Sequence, residues 1–142
     1  MAFPATPALA TDCVVYDPAG RVLLIKRKNE PFKGEYALPG GFVEIGETVD
    51  EACRRELREE TGIVAGMLEL VGVYSDPQRD PRGHTVSVTY LAHVAAAKPQ
   101  AGDDAAEAEW VEDWRSTKLA FDHAQILKDA EHLAVSARST KF

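Results

Sequence analysis

Two cysteines, Cys13 and Cys53, are all that the 142 residues contain, too few for a disulfide framework and not spaced as a CxxC pair. Both read as reduced core residues. No stretch approaches the roughly 20 apolar residues that a membrane span requires, and the start, MAFPATPALATDC, has no basic segment followed by a long apolar run. Neither a membrane partner nor a secretory signal is expected, and a cytoplasmic location is the default. Positive charge is scarce as well, with 16 Lys and Arg against 23 Asp and Glu and a formal net charge of -7. Phosphate backbones are held by clustered basic side chains, so no nucleic-acid footprint is expected. A small anion held through metal ions stays compatible with this balance. Repeats, low-complexity tracts and linkers are also missing. What is left, 45% hydrophobic and 27% charged residues, suits one compact domain over residues 1–142.

Strand signals run from Leu9 to Tyr16 and from Val22 to Lys26 around an Asp17-Pro18-Ala19-Gly20 turn. Short strands are expected near Tyr36 to Leu38 and Gly41 to Glu44, separated by the Pro39-Gly40 bend. Thr48 and Glu51 have the capping-box spacing and Gly62 stands at a C-cap, which predicts a helix over residues 49–61. A strand follows at Glu69 to Tyr74, then a loop from Ser75 to Gly83. In the next strand Val86, Val88, Tyr90, Ala92 and Val94 share one face and Thr85, Ser87, Thr89 and His93 the other, the pattern of a half-buried sheet. A polar loop over Ala97 to Ala105, a short strand at Glu107 to Glu112 and a last helix from Asp122 to about Ala137 complete the chain. That helix carries a stripe of Ile126, Leu127, Ala130, Leu133, Ala134 and Ala137. Strands interleaved with two helices indicate an α/β fold, a mixed sheet covered by helices.

At about 100° per residue, Val49, Ala52, Cys53 and Leu57 cluster on the core side of the first helix, and Glu56 and Glu60 fall in the same sector, one above the other. Burying an unpaired carboxylate costs several kcal/mol or forces protonation, so such a pair calls for a cation or tight hydrogen bonding. Carboxylate oxygens are the hard ligands that Mg2+ prefers, and a magnesium site keeps open positions for waters and phosphates. A solvated acidic face balanced by Arg54, Arg55 and Arg58 is the alternative at this point.

The segment GFVEIGETVDEACRRELREETGI, Gly41 to Ile63, resembles the Nudix box at every fixed position: Gly41, Glu47, Arg55, Glu56, Leu57, Glu59, Glu60, Gly62 and Ile63. The resemblance implies an alpha/beta/alpha sandwich with a mixed sheet and a catalytic loop-helix-loop that holds divalent metal against a diphosphate. It implies Glu56 and Glu60 as metal ligands, Glu59 as a further ligand or base, the Gly41 carbonyl in the coordination, and Glu47 with Arg55 as a bracing ion pair. Mg2+ is the implied cofactor, with Mn2+ as a substitute. The runs from Tyr74 to His84 and from Leu119 to His123 resemble a bacterial and archaeal subgroup associated with ADP-ribose pyrophosphatase activity, commonly homodimeric. Hydrolysis of ADP-ribose to AMP and ribose 5-phosphate is therefore the expected activity. Nucleoside triphosphate pyrophosphohydrolysis, perhaps of oxidised nucleotides, is the nearest rival, and a non-catalytic nucleotide sensor the more distant one.

Substrate contacts are expected from Arg27, Arg79, Asp80, Arg82 and His84, since arginine can fork onto phosphate and aspartate can accept from a ribose hydroxyl. Mutual pairing that merely fixes the loop is the alternative for Asp80 and the arginines. Trp110, Trp114 and Phe121 are candidates to stack on a base or to pack in the core. The water's base is sought among Asp103, Asp104, Glu107 and Glu109, with Glu109 preferred because Glu109-Trp110 resembles a Glu-Trp pair of part of the family. Glu59 is the alternative.

Overall fold

A computed structural model describes residues 4–95, 97–102 and 105–139, with side chains to residue 134. Residues 1–3, the base candidates Asp103 and Asp104, and the side chain of Ala137 lie outside this set. The elements are β1 (Ala8–Tyr16), β2 (Val22–Arg27), β3 (Tyr36–Ala37), β4 (Gly40–Phe42), α1 (Val49–Thr61), β5 (Glu69–Tyr74), β6 (Thr85–His93), β7 (Ala105–Val111) and α2 (His123–Ser139). A single 3-10 turn at Trp114–Ser116, which carries no sequence signal of its own, precedes α2.

The sheet is mixed, in the order β3-β2-β1-β6-β5, with β4 beside β1 and β7 beside β2. Among the described strands β1 and β6 run parallel, paired from Ala8 with Thr85 to Tyr16 with His93. Strand parity then assigns the two faces. Cys13, Val15 and Leu23 pack with Cys53 and Leu57 of α1, whereas Val14, Leu24 and Leu91 pack with Ile126, Leu127 and Ala130 of α2, giving a helix, sheet, helix sandwich.

The alternation in β6 leaves open which face is covered. Thr85, Ser87 and Thr89 are the buried face, at 6%, 0% and 0% exposure, while Val86, Val88 and Tyr90 are only half-buried. The polar face goes inward because partners wait there: Ser87 Oγ donates to Asp12 Oδ2 at 2.6 Å and lies 3.1 Å from Thr89 Oγ1.

One feature of the pairing opens the site. β1 and β2 are paired at the base of their hairpin, Tyr16 with Val22, after which β2 pairs with β3 and β7 and β4 takes its place beside β1 at Ala10, Thr11 and Asp12. A cavity of about 310 Å3 lies where the strands part.

Candidate active site

Helix α1 brings the carboxylates to this cavity. Thr48 caps its start, accepting the Glu51 N–H while the Glu51 side chain accepts the Thr48 N–H, and Gly62, at φ 73°, ends it by donating to the Arg58 carbonyl. Its apolar stripe seats on the sheet, and that anchoring turns Glu56 and Glu60 onto β4. The Gly40 N–H donates to Glu60 Oε1 at 3.1 Å. A Cβ on Gly41 would stand 2.6 Å from both Glu56 carboxylate oxygens, so only glycine lets the backbone come so close.

Glu60 is 5% exposed. Burial, with Glu56 and Asp12 adding like charge, pushes its carboxyl up to about 9 even though the Gly40 N–H favours ionisation. Burial also raises Glu56, against the pull of Arg55. Two acidic oxygens held this way take up either a proton or a cation, and their hardness suits a divalent ion. Among the described residues no three His, Cys, Asp or Glu side chains make a ready metal cage. Glu56, Glu60 and the Gly41 carbonyl thus fit an ion that keeps positions for water and phosphate oxygens.

Arg55 joins the loop to the helix. It forks onto Glu47 at 3.0 and 2.7 Å, reaches Glu56 at 2.7 Å and Glu59 at 3.2 Å, and donates to the Phe42 carbonyl at 3.0 Å. Glu47 lies below the usual carboxylate range chiefly through its hydrogen bond from Arg55. The Glu59 side chain is 56% exposed beside this cluster and outside the cavity lining.

Basic side chains face these carboxylates across the cavity. Arg27, Arg79, Asp80 and Arg82 all line it, and two of the three arginines are already paired. Arg79 is nearly buried and forks onto Asp122 at 2.9 and 2.7 Å, and Asp80 grips Arg82 at 3.1 and 2.8 Å. Burial works against ionised Asp80, but its bonds from Arg82 hold it below the usual range. Arg27 donates to the Pro31 carbonyl, and burial followed by the charge of Arg82 lowers it from its ordinary value. An anion between Arg27 and Arg82 would relieve that repulsion. His84 is exposed on its loop, 2.9 Å from the Ser75 carbonyl, and does not line the cavity.

In the back wall, Asp12 was not foreseen, whereas His123 was a candidate either to donate to a phosphate or to serve as a hydrogen-bonding cap. Asp12 of β1 accepts from Ser87 and lies 3.8 Å from Arg79 and 3.5 Å from His123 Nε2. His123 Nδ1 accepts the Leu38 N–H at 3.0 Å, which ties α2 to the strand leading into Gly40 and Gly41. The available signal was a lone charged residue within the strand ALATDCVVY. Phe42, Thr85 and the Lys28 to Glu30 segment also line the cavity without having been singled out.

Glu107 and Glu109 stand outside the cavity lining. In the β2 and β7 register Glu109 pairs with Leu24, and Glu107 pairs with Lys26, while Ala108 pairs with Ile25. Ile25, Arg27 and Ala37 line the cavity; by strand parity Glu107 and Glu109 point to the other face. There Glu109 accepts the Tyr36 hydroxyl at 2.8 Å. Trp114 is buried with Nε1 donating to Glu131, and Trp110 donates to the Ala97 carbonyl; of the three aromatic candidates, Phe121 alone lines the cavity.

A carboxylate pair on a capped helix, a glycine strand against it and arginines opposite have the chemistry that a diphosphate with a divalent cation would need. The chain belongs to the NUDIX family, whose domain matches residues 6–132. It is 54% identical over 123 residues to an ADP-ribose pyrophosphatase of Methanocaldococcus jannaschii, covering 87% of this chain and 72% of that protein. Among solved structures, a MutT/nudix family protein from Enterococcus faecalis superposes with TM-score 0.87 at 34% identity, over 96% of this chain and 65% of the other. The NUDIX domain of Shewanella oneidensis NrtR, complexed with ADP ribose, superposes with TM-score 0.86 at 30% identity over 92% and 90% of the two chains.

Proposed function

We propose that the protein hydrolyses the pyrophosphate bond of a nucleoside diphosphate derivative, converting ADP-ribose to AMP and ribose 5-phosphate with Mg2+ as cofactor and Mn2+ as a substitute. The observation that carries this reading is the buried Glu56 and Glu60 pair set against the Gly40-Gly41 backbone, with arginines across the cavity. The archaeal relative and the ADP-ribose-bound NrtR domain favour the choice of nucleotide.

Water adds across the P–O–P bridge: a new P–O bond forms at one phosphorus, the bridging oxygen leaves on the other phosphate, and a base takes the water's proton. Glu56, Glu60 and the Gly41 carbonyl would hold a divalent ion, which would supply charge neutralisation at the diphosphate oxygens and lower the pKa of the attacking water. Arg27 and Arg82 draw the anion in, and Arg55 fixes Glu56 and the Gly41–Glu47 loop as one unit. Glu59 is the base this reading retains, since it stands at the solvent edge of the Arg55 cluster.

The active species is a homodimer in the cytoplasm. Support for the first comes from Leu9, Val73 and Leu70, at 40%, 58% and 53% exposure. The strand register sets them on one sheet face with Val86, Val88 and Tyr90, the kind of apolar patch that marks an interface. Support for the second comes from the two free buried thiols. Light scattering at micromolar concentration tests the dimer.

The assay sets ADP-ribose, NADH, ADP-glucose, dGTP and 8-oxo-dGTP in parallel with Mg2+, against a Glu60→Gln control. ADP-ribose should lead in kcat/KM by an order of magnitude, with the control nearly inactive. A leading triphosphate would replace the substrate but keep the chemistry. Binding of ADP-ribose without turnover on any substrate would make the protein a sensor.

A further inference from the structure

Glu60 is nearly buried, yet among the described residues no ion pair reaches it, although three arginines line the same cavity. A guanidinium forked onto a buried carboxylate is an ordinary way to compensate such a group. Each arginine is instead anchored elsewhere: Arg27 on the Pro31 carbonyl at 2.6 Å, Arg82 on Asp80 and Arg79 on Asp122. Arg79 is the one with nowhere else to go. Its side chain is 5% exposed against 48% for Arg82, so once released it cannot turn to solvent, and a buried charge without a partner is costly. Its Nη2 lies 3.8 Å from Asp12 Oδ2. Asp12 Oδ1 faces Gly40, 2.6 Å from where a Cβ on that glycine would stand, and the Gly40 N–H holds Glu60 Oε1. One carboxylate and one glycine thus separate the guanidinium from Glu60. On the other side stands Asp122, just ahead of α2 and outside the cavity lining, with both carboxylate oxygens spent on Arg79.

We propose that Asp122 is a positioning residue that holds the Arg79 guanidinium off Glu60 and so keeps the Glu56 and Glu60 pair open to a divalent cation. The inference rests on the cation site proposed above. Without that hold the guanidinium bridges Asp12 and Glu60, whose oxygens face the same glycine, and an internal cation takes the place of the metal ion. Asp12 alone is a poorer stop, because Ser87 already occupies its Oδ2. The pair of Asp122 with Arg79 therefore serves the carboxylates across the cavity without touching them.

Asp122→Asn keeps the side-chain volume, and the N–H groups of Gln125 and Ile126 that start α2 donate to the Asp122 carbonyl rather than to its carboxylate, so the fold is retained. In a crystal structure of this variant without metal, an Arg79 nitrogen should stand within about 3.2 Å of a Glu60 oxygen. A guanidinium still beside residue 122, or on Asp12 alone, overturns the proposal. Calorimetric titration with Mn2+, without substrate, then covers the wild type, Asp122→Asn, Arg79→Met and the double variant. Asp122→Asn should bind Mn2+ about tenfold more weakly, and Arg79→Met should restore that affinity in the Asp122→Asn background while changing it little in the wild type, a coupling of the size found within one ion-pair network. Two substitutions whose effects add to within about twofold, as independent sites do, overturn it as well. If the wild type takes up no Mn2+ that Glu60→Gln abolishes, the cation reading falls and takes the purpose of the hold with it. The crystal structure alone then decides whether Asp122 keeps Arg79 off Glu60.

Discussion

Replacing His123 tests whether α2 sets the geometry of the glycine strand. His123 is 3% exposed and its Nδ1 accepts the N–H of Leu38, itself 2% exposed. That bond assigns the proton to Nε2, which faces Asp12 Oδ1 at 3.5 Å. His123→Leu leaves the Leu38 N–H buried without an acceptor, a loss of about 1–3 kcal/mol, or roughly 3–10 °C in Tm for a chain of this size. The turn that follows carries Gly40, whose N–H holds Glu60, and Gly41, packed on Glu56. A displacement of about 1 Å there should lower kcat on the order of 100-fold. His123→Asn can place an amide oxygen where Nδ1 was and should recover most of both losses. Thermal melts and kcat at saturating Mg2+ on the three proteins decide it. Wild-type values for His123→Leu, or an Asn variant no better than Leu, would refute the reasoning. The pH dependence carries a sign. Burial first, then Arg79 and Arg27, lower the imidazole against the opposing pull of Asp12 and Asp122. The folded state therefore binds fewer protons than the unfolded chain. The corresponding stability is present above the ordinary histidine value of about 6.5 and is lost as pH falls toward the lowered folded value. His123→Asn should flatten that part of the stability profile.

Glu59→Gln should lower kcat by about 10²–10⁴-fold if it is the base, while Glu109→Ala should leave turnover at saturating Mg2+ within about twofold and cost only its Tyr36 bond, about 1 kcal/mol; the reverse ranking would restore Glu109. Gly102 donates to the Glu60 carbonyl at 2.9 Å, and a Cβ there would collide with the Glu59 carbonyl. Gly102→Ala should thus destabilise the protein by about 1–3 kcal/mol and weaken Mn2+ binding, read by denaturation and by calorimetric titration. Among the described residues, the Tyr16 hydroxyl is a buried side-chain polar atom with no partner. Tyr16→Phe should be neutral or slightly stabilising in a urea melt, because it removes a polar group that gains nothing from folding.

Legibility in the sequence followed how local each cause is. Helix α1 was readable because its capping box, C-cap glycine and apolar stripe all lie between Thr48 and Gly62, and the cavity carboxylates Glu56 and Glu60 lie on that same stretch. The direction of Glu109 was not readable, since it depends on a cross-strand register that sets it opposite Leu24. The inward turn of Thr85, Ser87 and Thr89 was not readable either. Alternation separates two faces but does not say which is covered, and the acceptor that draws Ser87 inward, Asp12, lies 75 positions away. Asp12 is nonetheless the local trace of that inward turn. A carboxylate between Thr11 and Cys13, both essentially buried, needs partners wherever the strand packs, and here these are Ser87 and, within 4 Å, Arg79 and His123. Each comes from a different element, so the demand of one misfit side chain specifies where β6, the Asp76–Gly83 loop and α2 must meet, although it cannot say which residues of those elements will answer it.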